Sequence, residues 1–156
     1  MKQKPVLVSI KEHASDVYKS ILSKKQPTLE MPLRSLSNVT YDPKDGFFAL
    51  KGQKKSRTLT AATVKTFAQT LRMMALSKEL VKTDDIATKR EAYYVSKNWG
   101  EARFVEQPES DAVMDDIEAM MMVNREQMGF LPEEKGGEIA GQITVIETDP
   151  ETKKEI

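Results

Sequence analysis

A helical repeat of apolar side chains over residues 60–80 constrains the fold of this chain more than any other feature. The apolar residues recur at intervals of three or four, which is the spacing of one face of a helix. They are Val64, Phe67, Leu71 and Met74, with Met73 and Leu76 beside them. Thr60 is of a residue type that caps helices. The pattern predicts an amphipathic helix that packs in the core of a folded domain.

Two further helices are predicted after this one. A polar connection at residues 82–85, with Asp84 or Asp85 as the cap, leads into a helix over about 86–98. Two helices joined by a four-residue turn are typical of helix-turn-helix proteins, although many unrelated helical pairs share these lengths. A third helix is predicted to begin at Pro108, keep one apolar face and end at Gly129.

The order of the predicted elements indicates a winged helix. Residues 130–147 have the composition of two strands around a Lys-Gly-Gly turn at 135–137. Three helices followed by such a hairpin give an α+β, mainly helical fold class, with the winged helix (helix-turn-helix plus β-hairpin wing) over residues 59–148. A charged tail follows at residues 149–156.

Residues 1–58 are predicted to form an N-terminal extension. A short helix over residues 13–24, capped by Ser15, is followed by a proline-containing extended connector at 25–37. Residues 38–52 suit a β-hairpin, because Asp-Pro-Lys-Asp-Gly at 42–46 is turn chemistry between two strand-like runs. A polar stretch then leads into the first strong helix.

Composition limits the chemistry. Among the 156 residues there is no cysteine and one histidine, His13, which excludes disulfide scaffolds, zinc–thiolate sites, thiol nucleophiles and histidine pairs. No apolar run approaches the roughly 18 residues that span a bilayer, and no signal peptide is recognisable. The expected location is cytoplasmic with no membrane partner. Any catalysis would use tyrosine, serine, threonine, lysine or carboxylates.

Charge is divided unevenly along the chain. Residues 1–60 carry 12 Lys and Arg against 5 Asp and Glu, and the remainder carries 12 against 19. The basic part could bind a polyanion or an acidic partner surface. It could equally complement the acidic part of the same chain, and the sequence leaves both interpretations open.

The predicted second helix places one tyrosine on its polar side. On a helical wheel with about 100° per residue, Ala92, Val95, Ser96 and Trp99 share the sector that faces the core. Tyr94 lies opposite them. Arg90 lies about 40° from Tyr94, four residues earlier, and Lys97 is also close. The alternative interpretation is an ordinary amphipathic helix with a surface tyrosine.

An exposed tyrosine beside an arginine has a chemical use. A phenol is mostly protonated at pH 7 and is then a poor nucleophile, whereas a neighbouring guanidinium favours the phenolate and can hold a phosphate. Together with Lys89 and Lys97, Arg90 could dock a nucleic-acid backbone. Attack by Tyr94 on a phosphodiester would give a phosphotyrosyl bond and a free sugar hydroxyl, in a nearly balanced and therefore reversible exchange.

These residues carry a family resemblance. The stretch TKREAYYVSK at residues 88–97 resembles the active-tyrosine motif of the A subunits of archaeal type II DNA topoisomerase VI, which are related to the meiotic protein that makes double-strand breaks. Further resembling stretches are MPLRS at 31–35, RTLT at 57–60, NWGEARF at 98–104, EQPESD at 106–111 and GFLPEEKGGE at 129–138. The resemblance covers roughly residues 30–147 and is highly specific.

The resemblance implies a role for each element. In the family a winged helix carries the nucleophile, and the second tyrosine of the pair, here Tyr94, becomes joined to a 5′ phosphate with the help of the arginine matching Arg90. Two A subunits act with two ATP-hydrolysing B subunits on double-stranded DNA. The region before the winged helix contributes to contact with the B subunit, which would suit the basic extension.

One departure from the family limits the expected activity. Family A subunits are about twice as long, and their second half is a toprim domain that binds Mg²⁺ through acidic residues; nothing here matches it. We therefore interpret the sequence as part of an A subunit, expected to bind DNA weakly and not to cut it unaided. The expected DNA contacts are Lys89, Lys97, Arg103 and Lys135, with no metal or cofactor ligand in this chain.

Other candidate functional features also have ordinary structural interpretations. Asp111, Asp115, Asp116 and Glu118 could suggest a metal cluster but are interpreted as a solvated helix face. The Lys-Gly-Gly turn could contact DNA or merely reverse the chain. The rival functions for the whole are a winged-helix module that binds DNA without chemistry and an assembly module that docks a partner.

Overall fold

The computed structural model describes residues 5–44 and 46–131. Within these ranges the chain is α+β, which confirms the predicted class, with four α-helices and four short strands. The helices are α1 (Pro5–Leu22), α2 (Val64–Thr83), α3 (Lys89–Ser96) and α4 (Gln107–Met121), and the strands are β1 (Thr28–Pro32), β2 (Val39–Asp42), β3 (Phe47–Leu50) and β4 (Lys54–Thr58). Short 3₁₀ helices lie at Leu36–Asn38, Gly100–Ala102 and Glu126–Met128. The predicted wing and tail lie outside the described residues.

The strands form two separate antiparallel pairs. The predicted hairpin is confirmed, because β2 pairs with β3. The polar stretch before α2 is not only a connection to that helix. It contains β4, which pairs with β1. Burial alternates along β1, where Leu29 and Met31 are buried, so this strand packs on the core although its partner β4 is polar.

The helices are correct in number and order but differ from their predicted bounds. Helix α1 is longer than expected, so Ser15 lies inside it rather than at its start. Helix α2 begins after Thr63, not Thr60, and ends at Asp84, which adopts a left-handed conformation. Helix α4 ends at Met122 in the same way, well before Gly129. A left-handed residue closes the last turn by returning its N–H to a free helix carbonyl.

Methionine-rich packing joins the helices into one core. Phe67, Met73 and Met74 of α2 meet residues of α4 such as Met114 and Ile117, all almost fully buried. Unbranched methionines fill irregular gaps between the helices. Val64 is the exception in the α2 repeat, because it lies in the first turn and about half of its surface is exposed.

Ion pairs fasten the extension to α4. Asp116, predicted to face solvent, is buried and accepts from Lys55 and Arg57 at 2.6 Å each. Asp115 pairs with Arg34 at 2.9 Å and also with Arg125. The solvated-face interpretation of these residues is therefore wrong. Arg34, Lys55 and Arg57 of the basic extension therefore pair with acidic residues of the same chain. The charge count alone left this alternative open.

Arg125 connects this network to the end of α4. Its guanidinium donates to the carboxylates of Glu118, at 2.7 Å, and Asp115. Burial acts to lower the pKa of Arg125, but the hydrogen bonds and charges of the two carboxylates outweigh it and leave the pKa above its ordinary value. Arg125 therefore stays charged and holds the loop after α4 against the helix.

A close backbone approach fixes the start of α3. Ala87 donates its N–H to the Gly129 carbonyl at 3.0 Å and accepts from the Leu131 N–H at 2.9 Å, a parallel bridge with Phe130. Gly129 has φ +84°, and a Cβ there would lie 2.7 Å from the Leu80 Cβ. Only glycine fits both the conformation and the space, so the chain after α4 can pass beside the residue that precedes α3.

Candidate DNA-cleavage site on helix α3

Helix α3 begins with a reciprocal capping box. The Thr88 hydroxyl accepts from the Glu91 N–H at 3.1 Å, and the Glu91 carboxylate accepts from the Thr88 N–H at 2.6 Å. These bonds satisfy backbone donors that a helix start would otherwise leave unpaired. The cap is thus Thr88, not Asp84 or Asp85, and the helix begins about three residues later than predicted.

The predicted core sector of α3 is confirmed in part. Ala92 and Ser96 are fully buried and Trp99 is half-buried, but 40% of the Val95 surface is exposed. Val95 lies about 60° from Ala92 around the helix, which places it at the edge of the sector. The Ser96 hydroxyl donates to the Tyr93 carbonyl at 2.5 Å, a local bond that excludes it as a free nucleophile.

Tyr94 and Arg90 lie together on the outer side of α3, as the helical wheel predicts. Tyr94 is 53% exposed. The Arg90 Nε–H donates to the Tyr94 hydroxyl at 3.3 Å, and the Arg90 guanidinium carbon is 5.8 Å from the ring centroid. A phenol oxygen that solvent can reach is thus held beside a permanently charged donor. An incoming phosphodiester would meet both groups at once.

Lys97 does not join this pair. Its ammonium donates to the Phe104 carbonyl at 2.7 Å and the Val105 carbonyl at 3.2 Å, and it lies 3.9 Å from the centroid of the Tyr93 ring. Lys97 is predicted to lie near Tyr94 as a phosphate contact, whereas in the structure its amine is directed to the backbone that follows α3. The four-residue spacing of Tyr93 and Lys97 is a signal for their contact, but nothing in the sequence indicates the two carbonyls.

The other predicted cations are dispersed. Lys89 is half-buried at the start of α3, close enough to Asp111 of α4 for their charges to interact. Arg103 is exposed directly after the 3₁₀ helix Gly100–Ala102. Lys135 lies outside the described residues. Lys97 and Lys89 thus lie near other groups, and the Tyr94 hydroxyl accepts its hydrogen bond from Arg90.

A carboxyl with a shifted pKa faces the start of α3. Burial raises the pKa of Asp111, and the positive charges of Lys89 and Arg125 only partly offset this effect. One of its carboxylate oxygens is buried with no hydrogen-bond partner among the described residues. Asp111 is therefore a costly charge in this fold rather than a part of the exposed pair.

No metal centre is formed within residues 5–44 and 46–131. There are no groups of three or more histidine, aspartate or glutamate side chains placed to hold an ion in that part of the chain. Asp115, Asp116 and Glu118 of α4 already bind guanidinium and ammonium groups, so their oxygens do not fit a Mg²⁺ ion. In the same described ranges, no helix is both long and apolar enough to cross a membrane.

Comparisons with known proteins decide the family. The sequence model described as Type IIB DNA topoisomerase matches residues 65–130, which include α3 and the Tyr94–Arg90 pair. The A subunit of type 2 DNA topoisomerase 6 from Methanocaldococcus jannaschii is 49% identical over 140 residues, or 90% of this chain. The chain belongs to the topoisomerase VI A-subunit family. The resemblance found in the sequence is thereby confirmed.

Other members of the topoisomerase VI A-subunit family agree. The relative from Methanothermobacter thermautotrophicus is 35% identical over 80% of this chain, and that from Pyrococcus abyssi is 35% identical over 94%. The chain spans 38% of the M. jannaschii relative, 35% of the M. thermautotrophicus relative and 39% of the P. abyssi relative. The part matched by the family model includes helix α3, so the site described above lies within the shared region.

Proposed function

We propose that this chain is the DNA-binding and DNA-cleaving domain of a topoisomerase VI-type A subunit, with Tyr94 as the nucleophile. The observation that carries the proposal is the exposed Tyr94 hydroxyl, held 3.3 Å from the Arg90 Nε. Family membership supports the choice of DNA as the substrate. The proposed outcome is relaxation or decatenation of duplexes through a transient 5′-phosphotyrosyl link.

The proposed step exchanges one phosphate ester for another. The Tyr94 oxygen attacks the phosphorus, an oxygen–phosphorus bond forms, and the bond from phosphorus to the 3′ oxygen breaks. The phenol loses its proton and the departing 3′ oxygen gains one, so the strand ends in a 3′ hydroxyl. Arg90 offers planar N–H donors to the phosphate, where negative charge develops. Because the bond types on both sides are equivalent, the 3′ hydroxyl can reverse the step.

The described fold supports a winged helix around this site. Helices α2, α3 and α4 follow in the required order, and the Ala87–Phe130 bridge is a short strand contact of the kind that leads into a wing. We propose the division at residues 58 and 148 on the same basis. Lys89, Arg103 and Lys135 remain proposed phosphate contacts, while the position of Lys97 argues for another role.

The complete enzyme would need components beyond the described residues. In the proposed assembly, Mg²⁺ is held by a toprim domain, ATP is bound by the B subunit, and two A subunits act on one double-stranded DNA. Asp116 and Glu118 of α4 are engaged by cations and do not fit the metal. Residues 1–58, apart from the cations already paired with α4, are the proposed contact for the B subunit.

The proposed nucleophile is tested by trapping a covalent adduct. A chimera carries this chain in place of the aligned residues of the M. jannaschii relative and is combined with the B subunit of the same organism, ATP and Mg²⁺. The duplex contains sulfur in place of one bridging 3′ oxygen, because the thiol that leaves is a poor nucleophile for resealing. We expect a protein–DNA adduct that survives denaturation, and Tyr94→Phe should abolish it.

Tyr93→Phe is the matched control. It removes a neighbouring hydroxyl that donates to the Val105 carbonyl at 2.9 Å but leaves the Tyr94 hydroxyl in place, so an adduct should still form, at a reduced rate. Loss of the adduct in Tyr93→Phe but not in Tyr94→Phe would contradict the assignment. The 156-residue chain alone, with supercoiled DNA and Mg²⁺, should bind weakly without cutting. A chimera that folds and binds DNA but never forms an adduct would favour a non-enzymatic binding or assembly module.

A further inference from the structure

The ammonium of Lys97 lies at the centre of the contacts that hold the end of α3. It donates to the carbonyls of Phe104 and Val105 and covers the Tyr93 ring at 3.9 Å. The Tyr93 hydroxyl donates to the same Val105 carbonyl at 2.9 Å. Two side chains from the end of a helix of eight residues thus converge on one backbone segment.

The backbone at residues 104–105 is held in place by the buried side chain of Phe104. Phe104 is fully buried, and its ring lies 5.8 Å from the ring of Trp99. A buried aromatic side chain fixes the backbone that carries it, because moving it would open a cavity. The two carbonyls that receive the Lys97 ammonium are therefore held in place by the core, and α3 is held in place by them.

The contacts continue from Tyr93 to the proposed nucleophile. The rings of Tyr93 and Tyr94 are 5.5 Å apart and tilted by 49°. Arg90 reaches the Tyr94 hydroxyl from within the same helix. The Tyr94 ring therefore lies between a guanidinium and a neighbouring ring whose own position depends on Lys97. A displacement of Tyr93 would change the packing of the Tyr94 ring.

We propose that Lys97 is a positioning residue, which acts through Tyr93 to orient Tyr94, and that it does not bind the DNA backbone. This inference rests on the proposed function of Tyr94. A lysine ammonium has three N–H donors, and two of them are engaged by carbonyls. A phosphate would have to share the ammonium with these contacts through its one remaining N–H, whereas a positioning role uses the geometry as it stands. Reacting groups need placement to within about 0.5 Å, so the effect on rate should be large.

Kinetics of adduct formation separates the two roles. In the chimera, Lys97→Met keeps an unbranched side chain, one atom shorter, but removes its charge and donors. We expect the rate of adduct formation at saturating DNA to fall about tenfold or more, since displacement by about 1 Å can cost about 100-fold. The Kd for DNA and its salt dependence should stay within about twofold. Lys97→Arg, which can donate to both carbonyls and cover the ring, should restore most of the rate.

A phosphate contact predicts the opposite pattern. Lys97→Met would then weaken DNA binding, lower the salt slope by about 1 and leave the rate at saturation unchanged. That result would overturn the proposal. Lys78→Met, at an exposed position of α2 away from these contacts, controls for the loss of a lysine and should change neither quantity.

A spectroscopic test does not depend on cleavage. In the 156-residue chain, 3-fluorotyrosine at position 94 reports the surroundings of the ring by ¹⁹F NMR. Lys97→Met and Tyr93→Phe should each shift or split this resonance, and the double variant should add little, because Lys97 acts through Tyr93. An unchanged resonance in Lys97→Met overturns positioning even if Tyr94 cuts DNA. A changed resonance with no Tyr94 adduct in the chimera would instead overturn the proposed function. If Lys97→Met does not fold, Lys97→Gln, which also removes the charge, replaces it in both readouts.

Discussion

Helices α3 and α4 both carry charged side chains along one side, but the structure uses those charges differently. On α4, Asp116 has 7% of its side chain exposed and binds two cations from β4, about sixty residues away along the chain. On α3, Arg90 and Tyr94 are exposed and contact each other within about one turn. A charged side chain that pairs with a distant segment stabilises the tertiary structure. A charged group contacted locally and open to solvent is available to a ligand.

The largest effect expected from this contrast is on stability. Asp116→Ala leaves Arg57 and Lys55 without their carboxylate, and Arg57 has only 17% of its side chain exposed. Removing one partner of such a pair leaves an uncompensated charge, so we expect the free energy of unfolding to fall by about 3 kcal/mol. Urea unfolding of the 156-residue chain measures the change.

An exposed ion pair provides the control for Asp116. Glu30 binds Lys54 at 3.3 Å across the β1–β4 pair, with 60% and 59% of the two side chains exposed. Glu30→Ala should change the free energy of unfolding by less than about 1 kcal/mol, since solvent screens exposed pairs. Equal losses in the two variants would show that burial does not distinguish the α4 network.

The next effect concerns Arg90, and it should appear in chemistry rather than stability. Arg90→Gln keeps a polar side chain but removes the charge and the planar fork of donors. We expect about 30-fold slower adduct formation in the chimera, because one preorganised donor is lost where charge develops. The free energy of unfolding of the 156-residue chain should change by less than about 0.5 kcal/mol. A large loss of stability with an unchanged rate would place Arg90 with the α4 network instead.

The side of α3 that carries Tyr94 could be predicted because the relevant information is local. The spacing of Arg90 and Tyr94 determines that they lie on one face, and the small, buried Ala92 indicates which face points inward. The β2–β3 hairpin was predictable for the same reason, since a short run of turn residues specifies it. Family resemblance then added a chemical role that the geometry alone leaves open.

Features that depend on distant partners could not be predicted in this way. Strand β4 has the composition of a polar linker because its residues are all charged or hydroxylated, and its pairing with β1 is determined by tertiary structure. Asp116 has the pattern of a solvated residue until β4 is placed beside it. The two carbonyl contacts of Lys97 could not be predicted because backbone carbonyls carry no sequence signal. In each case the missing information is the identity of a partner outside the local element.

The smallest expected effect concerns Asp111, which lies where the two helices meet. Because burial raises its pKa in the folded state, the folded chain holds this proton more tightly than the unfolded chain. Stability is therefore lost as the pH rises from the ordinary carboxyl value of about 3.9 through the raised value. Asp111→Asn does not titrate, so it should be more stable than the parent chain at pH 7, and this advantage should shrink as the pH falls toward about 4. Urea unfolding at several pH values measures the difference. An advantage that grew on acidification would mean that Lys89 and Arg125 stabilise the carboxylate more than burial penalises it, and Asp111 would then belong with the cohesive charges of α4.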